Sequence, residues 1–242
     1  MKWPGRVLWG FGEAAVTLGV VVLLLVAHQL WWTNLRAHAS AQRQVTRLEQ
    51  QWDGEAAGGT PHAASPSASV SASSTKAETS GQSASPSRSA TAASQAYAVL
   101  RIPRIGLTAP VAEGTSKTKV LNHGYVGHYP RTAQPGQAGN FAVAGHRNTH
   151  GEPFRHLDRL RVGDTVTVET ATARFTYVVV KTLPQTSAHD GTVVAPVPYS
   201  SLHPGARLKG RGYYITLTTC TPEFTSRYRM VVWGRLTAAE LR

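Results

Sequence analysis

The sequence YYITLTTCTPEFTSRYRMVVW, residues Tyr213–Trp233, contains the only cysteine of the chain, Cys220. Apolar and β-branched runs flank this cysteine, and their alternation predicts two strands. About eight residues separate the two runs, which is enough for a hairpin loop. If the strands pair antiparallel with Cys220 opposite Arg229, both side chains point to the same face of the sheet. Arg229, rather than Arg227 in the loop, is then the expected neighbour of the thiol.

This register also fixes the other pairs of the hairpin, because side chains alternate between the two faces of a strand. The pairs expected on the face of the cysteine are Thr218 with Val231 and Thr216 with Trp233. The opposite face is expected to pair Thr219 with Met230 and Leu217 with Val232.

Composition limits the classes of protein to consider. The chain has 242 residues and a formal net charge of +12, which allows one ordinary domain with extra segments or two small domains. A single cysteine excludes an intramolecular disulfide framework and a zinc site built from several cysteines. Positive charge favours anionic lipid, wall polymer or nucleic acid as surroundings. The arginines are scattered and no nucleic-acid-reading motif is present, so we expect no nucleic-acid partner.

The N-terminal region predicts a membrane anchor. Leu8–Ala27 is predominantly apolar, and about 20 such residues span a bilayer core. Tryptophans flank the run, as they do at membrane interfaces. A cleaved signal peptide is the alternative, but the possible cleavage site at Ala37–Ala39 lies too far beyond the apolar run. We assign residues 1–33 to a short cytoplasmic tail and the anchor. Basic residues lie on both sides of the span, so charge alone does not decide its orientation.

Two further regions follow the anchor. Residues 34–96 are predicted to be a polar, helix-compatible extension and then a disordered Ala/Ser/Thr/Pro linker, because large apolar residues are almost absent from the linker. Residues 97–242 are predicted to be an all-β domain, large enough for a closed or semi-closed barrel. The expected strands are Ala98–Pro103, Asn140–Ala144, Thr165–Thr170, Arg174–Thr182 and the two strands around Cys220. Leu183–Arg211 is predicted to be a long loop.

A cysteine nucleophile needs a base and donors for an oxyanion. His146 is the first candidate base, because it ends a predicted buried strand directly after a glycine; His150 is a rival. Arg229 has a fixed fork of donors that can stabilise an oxyanion. Thr219 offers a hydroxyl, although alternation points it away from the face of Cys220. A zinc site built from His123, His128, His146 and His150 is disfavoured, because the spacings match no tight ligand pattern.

At these residues the sequence resembles the sortases, membrane-anchored cysteine transpeptidases of Gram-positive bacteria. Thr216–Cys220 is similar to the family's T-L-x-T-C nucleophile motif, and Arg229–Gly234 to the strand after it. Asn140–His146 resembles the segment that ends in the catalytic histidine. Phe154–Asp164 resembles the F-x-x-L-x-x-L-x-x-G-D stretch that follows. The segments around His128 and His146 look most like class E sortases of actinobacteria.

The resemblance implies an eight-stranded sortase-like β-barrel with short helical turns, on the outer face of the plasma membrane behind a single span. It implies catalytic roles for Cys220, His146 and Arg229, and no metal or cofactor. The expected reaction cleaves a Leu-Ala-x-Thr-Gly or Leu-Pro-x-Thr-Gly sorting signal between Thr and Gly through a thioacyl intermediate. A peptidoglycan precursor amine then accepts the surface protein that bears the signal, whereas water gives hydrolysis, as in a thiol protease.

Three further expectations complete this interpretation. Thr219 and Tyr129 are candidate substrate-binding residues, and Tyr129 is a candidate for reading the second position of the signal. The Leu183–Arg211 loop is expected to form one wall of the peptide groove. Two alternatives remain open: an L,D-transpeptidase-like wall enzyme, whose usual S-H-G-C-like run is missing here, and a non-catalytic binding domain tethered to the wall.

Overall fold

The computed structural model describes residues 3–57 and 95–242. Most of the predicted linker falls between these two ranges and lies outside the described residues. The elements, in chain order, are α1 (Trp3–Ala57), β1 (Ala96–Ile102), β2 (Leu107–Glu113), β3 (Val126–His128), β4 (Gly139–Ala144), β5 (Thr165–Thr170), β6 (Ala173–Ser187), β7 (Tyr213–Thr221) and β8 (Tyr228–Leu241). Short 3₁₀ turns join several of the strands.

The eight strands form a closed barrel in the order β1-β2-β3-β4-β7-β8-β6-β5. Two neighbouring pairs, β2 with β3 and β4 with β7, run parallel, and the other pairs are antiparallel. Alternate side chains of the strands fill the interior with a continuous apolar core that includes Leu100, Phe141 and Leu217. The predicted all-β class and eight-stranded barrel are confirmed. Closure also removes the exposed sheet edges on which chains aggregate.

The hairpin around Cys220 has the register that was assumed for it. Cys220 lies opposite Arg229, and the four other predicted pairs, Thr218 with Val231, Thr216 with Trp233, Thr219 with Met230 and Leu217 with Val232, are all present. β7 also pairs in parallel with β4, and Ala144 lies opposite Thr218. The end of β4, which leads into His146, is therefore adjacent to the end of β7, which carries the thiol.

The N-terminal region forms one continuous helix of 55 residues. Its apolar part is long enough to cross a membrane, and the side chains from Gly12 to Gln29 are all exposed in the isolated chain. The helix continues to Ala57, a few residues into the stretch assigned to the linker. The extension is also not uniformly polar, because several of its side chains are buried against the barrel.

Candidate active site

The three candidate catalytic side chains open into one cavity of about 840 Å³. Cys220 comes from the end of β7, Arg229 from the start of β8 and His146 from just beyond β4. The parallel pairing of β4 with β7 and the antiparallel pairing of β7 with β8 bring these three strand ends to the same end of the barrel. A nucleophile, an imidazole and a guanidinium thus share one space that can hold a short peptide.

Arg229 is held by the loop that it follows. Its Nη1 donates to the carbonyl oxygens of Ser226 and Tyr228, each at 2.9 Å. The other guanidinium N–H groups remain as donors, since arginine carries five. Arg227 is exposed and stacks on the ring of Tyr228, with its Cζ 5.1 Å from the ring centroid. Arg229 borders the cavity and Arg227 does not.

His146 is half-buried and is oriented by Asn122. The Nε2 of the ring is 2.9 Å from Oδ1 of Asn122, so the ring donates from Nε2 and its Nδ1 is left unprotonated in the neutral form. The ring of His150 lies nearby, with the two centroids 5.4 Å apart. Burial first, and then the charges of His150 and Lys117, lower the pKa of His146 to about 4. The neutral imidazole therefore predominates at pH 7.

Sequence reasoning did not find Asn122 or Lys117. Asn122 lies in a 3₁₀ turn, Leu121–His123, 24 positions before the histidine that it contacts. No periodic pattern marks such a turn, and a loop asparagine has many possible roles. Gly124 ends the turn with a φ of 79°. Glycine is favoured at positive φ, so its presence in the sequence indicates a turn here but not the contact of Asn122 with His146.

Tyr129 and Thr219 both border the cavity. The hydroxyl of Thr218 donates to the carbonyl of Val143 at 3.2 Å, so the hydroxyl of Tyr129, at 3.0 Å, donates to Thr218. The hydroxyl of Thr219 donates to the carbonyl of Gly145 at 2.8 Å. Thr219 therefore ties β7 to the residue before His146.

That Leu183–Arg211 forms one wall of the peptide groove stays a prediction, because other residues border the cavity described here. The first residues of that segment belong to β6, and none of it borders the cavity. It packs across β4, β7 and β8: Asn140 donates to the carbonyl of Ala195, and Thr216 and the indole Nε1 of Trp233 both donate to the carbonyl of Val193. The carboxylate of Asp190 accepts hydrogen bonds from Thr186, Thr192, Ser200 and Ser201, which together hold its pKa near 2 against the effect of burial. The segment is thus fixed against the face of the sheet that also carries Cys220.

Two further segments that the sequence did not point to also border the cavity. Trp31, Thr33 and Asn34 of α1 border it, and so does Phe224 of the β7–β8 loop. His128, which the disfavoured zinc site included, is fully buried and borders none of this space. Its ring instead contacts Glu113, Tyr97 and Thr132 through hydrogen bonds.

Comparison with known families agrees with this geometry. The family model for the sortase domain matches residues 100–237, which is more than half of the chain. The chain belongs to the sortase family. Sortases are cysteine transpeptidases, and the matched range contains His146, Cys220 and Arg229.

Two relatives from Streptomyces coelicolor extend the match to the N-terminal region. The chain is 44% identical to Sortase SrtE1 over 231 residues, which cover 93% of this chain and 56% of SrtE1. It thus spans little more than half the length of that relative. It is 32% identical to Sortase SrtE2 over 246 residues, which cover 98% of this chain and 86% of SrtE2.

Solved sortase structures have the same fold. The crystal structure of Sortase E1 from S. coelicolor, with a tripeptide in its active site, superposes with a TM-score of 0.58 at 49% identity and covers 62% of this chain and 93% of its own. Sortase E from Streptomyces avermitilis gives a TM-score of 0.52 at 42% identity, with 60% and 90% covered. These neighbours agree with the class E resemblance of the sequence.

Proposed function

We propose that the protein is a sortase transpeptidase that cleaves a Leu-Ala-x-Thr-Gly or Leu-Pro-x-Thr-Gly sorting signal between Thr and Gly. It would then join the surface protein that bears the signal to a peptidoglycan precursor amine. One observation carries the proposal: Cys220, His146 and Arg229 border one cavity, in which the thiol and the guanidinium come from directly opposed strand positions. The cavity, at about 840 Å³, has room for a short peptide.

In the first step, the sulfur of Cys220 attacks the threonine carbonyl carbon. A C–S bond forms, and the carbonyl oxygen becomes an oxyanion. Arg229 supplies donors to that oxyanion, and its two bonds to the loop carbonyls hold the fork in place before substrate arrives. Tyr129 and Thr219 contact the peptide, and Tyr129 reads its second position.

His146 moves the proton of the reaction. Because the pKa of His146 is lowered to about 4, the thiolate–imidazolium pair is a minor population at neutral pH. The imidazolium protonates the glycine amine as the C–N bond breaks, which leaves a threonyl thioester on Cys220. The acceptor amine then attacks the thioester and loses its proton to the imidazole. The C–S bond breaks as the new amide bond forms, and the imidazolium returns its proton to the sulfur of Cys220.

The site of action follows from the proposed acceptor. A wall precursor amine is available outside the cell, so we place the barrel on the outer face of the plasma membrane and Met1 inside. The apolar part of α1, long enough to cross a bilayer, is the single span. The formal net charge of +12 favours residence beside anionic lipid and wall polymers.

Substitution of the nucleophile tests the proposal. Cys220→Ala is expected to abolish cleavage of a Leu-Ala-x-Thr-Gly peptide, measured by release of the glycine fragment, and to leave the unfolding temperature unchanged. A thiol-directed sulfone should label the wild-type protein at Cys220, and the peptide should protect against labelling. Cleavage that persists in Cys220→Ala, with the fold intact, contradicts the proposal.

Mass spectrometry of the trapped acyl-enzyme separates the proposal from its alternatives. A sortase accumulates an adduct that ends in the threonine of the peptide. An adduct of a muropeptide stem indicates an L,D-transpeptidase instead. No adduct with either class of compound, on a protein whose thiol reacts with the sulfone, indicates a binding domain.

A further inference from the structure

The second half of α1 packs along the barrel instead of extending freely from the membrane. The buried side chains of this half recur at helical spacing, and they are Ala37, Ala41, Val45, Leu48 and Trp52. All of these except Ala37 form one apolar cluster with residues of β1, β2 and the loop before β3, among them Val99, Ala112 and Tyr125. A stripe with this spacing lies on one face of a helix and stabilises docking by apolar burial.

The backbones approach closely at the membrane-side end of this contact. A Cβ at Gly124 would lie 2.8 Å from the carbonyl oxygen of Ala37, so only glycine allows the helix to sit there. Asn34 bonds to the loop that follows His146: its Oδ1 accepts from the N–H of Gly151 at 2.6 Å, and its Nδ2 donates to Glu152 at 3.2 Å. The helix is therefore fixed beside the candidate active site.

The other end of the helix is held by charge. Glu49 pairs with Arg101 of β1, and Asp53 pairs with Arg242 at the C-terminus at 2.8 Å. The guanidinium of Arg242 also lies over the ring of Trp52, 5.1 Å from its centroid. Contacts at both ends and along the stripe fix the direction of the helix relative to the barrel.

This geometry sets the height of the cavity above the bilayer. Asn34 lies seven residues beyond Ala27, where the apolar run ends, and seven residues of helix rise about 10 Å. The headgroup layer on one side of a bilayer is about 5–7 Å thick. Asn34 and the cavity that it borders therefore lie at the outer edge of the headgroups, or closer if the span is tilted.

Aromatic side chains around the cavity mouth fit this position. Trp31 of α1 and Phe224 of the β7–β8 loop both border the cavity and are 66% and 77% exposed. Exposed aromatic rings with polar surroundings are characteristic of the membrane interface. Phe224 also has a φ of 63°, which is unusual for a bulky residue.

We infer that the docked half of α1 holds the catalytic cavity against the membrane surface, with Trp31 and Phe224 in the headgroup layer. The partner of this face is the lipid bilayer. The cavity then takes chains that are tethered to the same membrane in preference to free peptides, a consequence that rests on the proposed function. The height of the Cys220 sulfur above the bilayer does not depend on the proposed function.

A depth measurement on Cys220 tests the inference in the full-length protein. The single cysteine is labelled with a fluorophore, and the protein is placed in lipid nanodiscs whose lipids carry a nitroxide on the headgroup.

Leu48→Glu places a carboxylate in the buried stripe, whereas Gln50→Glu makes the same charge change at an exposed position of the helix. A released barrel can move away by as much as the chain between Ala57 and Ala96 allows, on the order of 100 Å.

We expect strong quenching in the wild type and in Gln50→Glu, and loss of most of it in Leu48→Glu. Leu48 lies outside the barrel core, and an unchanged unfolding temperature would show that the barrel itself is intact. Ala41→Glu, at another buried position of the stripe, should repeat the loss. Weak quenching in the wild type, or equal quenching in all the variants, overturns the inference.

Cleavage assays test the consequence separately. A signal peptide anchored by a lipid in the same proteoliposome is compared with the free peptide, and the ratio of the two rates is measured. Co-location on one membrane raises the effective concentration, so we expect the ratio to fall about tenfold or more in Leu48→Glu and to stay unchanged in Gln50→Glu. An unchanged ratio contradicts the tethering consequence. If the wild type cleaves neither peptide, the proposed function fails, and the depth measurement alone decides the height of the cavity.

Discussion

Arg229 and Arg227 are separated by one residue, yet the structure places them in different surroundings. Arg229 borders the cavity and donates to two loop carbonyls, while Arg227 stacks on Tyr228 in solvent. We expect Arg229→Ala to lower kcat/KM for the signal peptide by about 10²-fold or more, the effect of removing an oxyanion donor. Arg227→Ala is the matched control and should change kcat/KM by less than about threefold.

Steady-state kinetics of both variants with one peptide decide which arginine stabilises the oxyanion. A larger loss of kcat/KM in Arg227→Ala than in Arg229→Ala would mean that Arg227, and not Arg229, stabilises the oxyanion. Arg229→Lys adds a further comparison, because lysine keeps the charge and loses the planar fork. If Arg229→Lys recovers the wild-type rate, the charge matters and the fork geometry does not.

His146 provides a prediction about pH. Because the pKa of the ring is lowered from 6.5 to about 4, the unfolded chain binds a proton between these values that the folded ring does not. The contribution of neutral His146 to stability is therefore present above pH 6.5 and is lost as the pH falls toward about 4. NMR titration of labelled histidine, assigned with His146→Gln, should show this ring neutral from pH 6 upward. A midpoint near 6.5 contradicts the prediction.

The charge of Lys117 contributes to this shift, so Lys117→Met should raise the pKa of His146. Lys119 lies in the same loop and is also exposed, but it is not among the causes of the shift, which makes Lys119→Met the matched control. The same titration measures both variants. Equal midpoints in the two variants would show that the field of Lys117 does not reach the ring.

The residues found from sequence and those missed differ in a physical way. The register that places Cys220 opposite Arg229 was assumed, and the structure confirms it. Alternation then decided which of the paired side chains share a face with the thiol. His146 was found because a buried strand leads to it. Asn122 was missed because it contacts His146 only through the tertiary fold, from a turn with no periodic signal.

At the level of elements, the junction of β4 with β7 positions the site. The hydroxyl of Thr219 donates to the carbonyl of Gly145 at 2.8 Å, and Thr219 is buried. Thr219→Val keeps the shape of the side chain and leaves that carbonyl without its side-chain donor, so we expect a loss of about 1–3 kcal/mol in the free energy of unfolding. Urea denaturation of the full-length protein in detergent measures it.

Thr237→Val is the control for this substitution. Thr237 donates to the carbonyl of Thr176 in the same way, at 3.1 Å, but it is exposed. Water can replace the lost donor there, so the cost should stay within about 0.5 kcal/mol. Equal losses of unfolding free energy in Thr219→Val and Thr237→Val would mean that burial of the Gly145 carbonyl does not increase the cost of the missing donor.

Elements with a clear sequence pattern were predicted, and elements with a weak pattern were missed. β1, β4, β5 and β7 are rich in apolar and β-branched residues and were located from sequence, as were the first parts of β6 and β8. β3 has three residues, Val126–His128, and is too short to show a period. β2 contains a proline, Pro110, which lowers the strand signal. The docking stripe of α1 was missed because alanines supply part of it within a polar composition.

At the scale of the whole molecule, the two halves of α1 have different surroundings. From Gly12 to Gln29 the helix is exposed and predominantly apolar, as a membrane span requires. The second half covers Leu121, which begins the turn that carries Asn122, and Val120 and Tyr125 on either side of that turn. Because Asn122 bonds to His146, the docked helix supports the candidate active site through this turn.

Two shortened chains test that support. A chain of residues 31–242 keeps the docking stripe and lacks most of the span, whereas a chain of residues 58–242 lacks both. The barrel core does not include the stripe, so we expect both chains to fold. In the chain of residues 58–242, amide hydrogen exchange over residues 120–125 should be faster by about tenfold or more, because local opening costs less without the buried contacts. Exchange in β7, which lies within the barrel, is the internal reference and should be equal in the two chains.

Cleavage of a free peptide should fall in the shorter chain alone, since the bond between Asn122 and His146 is then less well held. Equal exchange over residues 120–125 in the two chains would show that the helix supports only the position of the barrel and not the histidine.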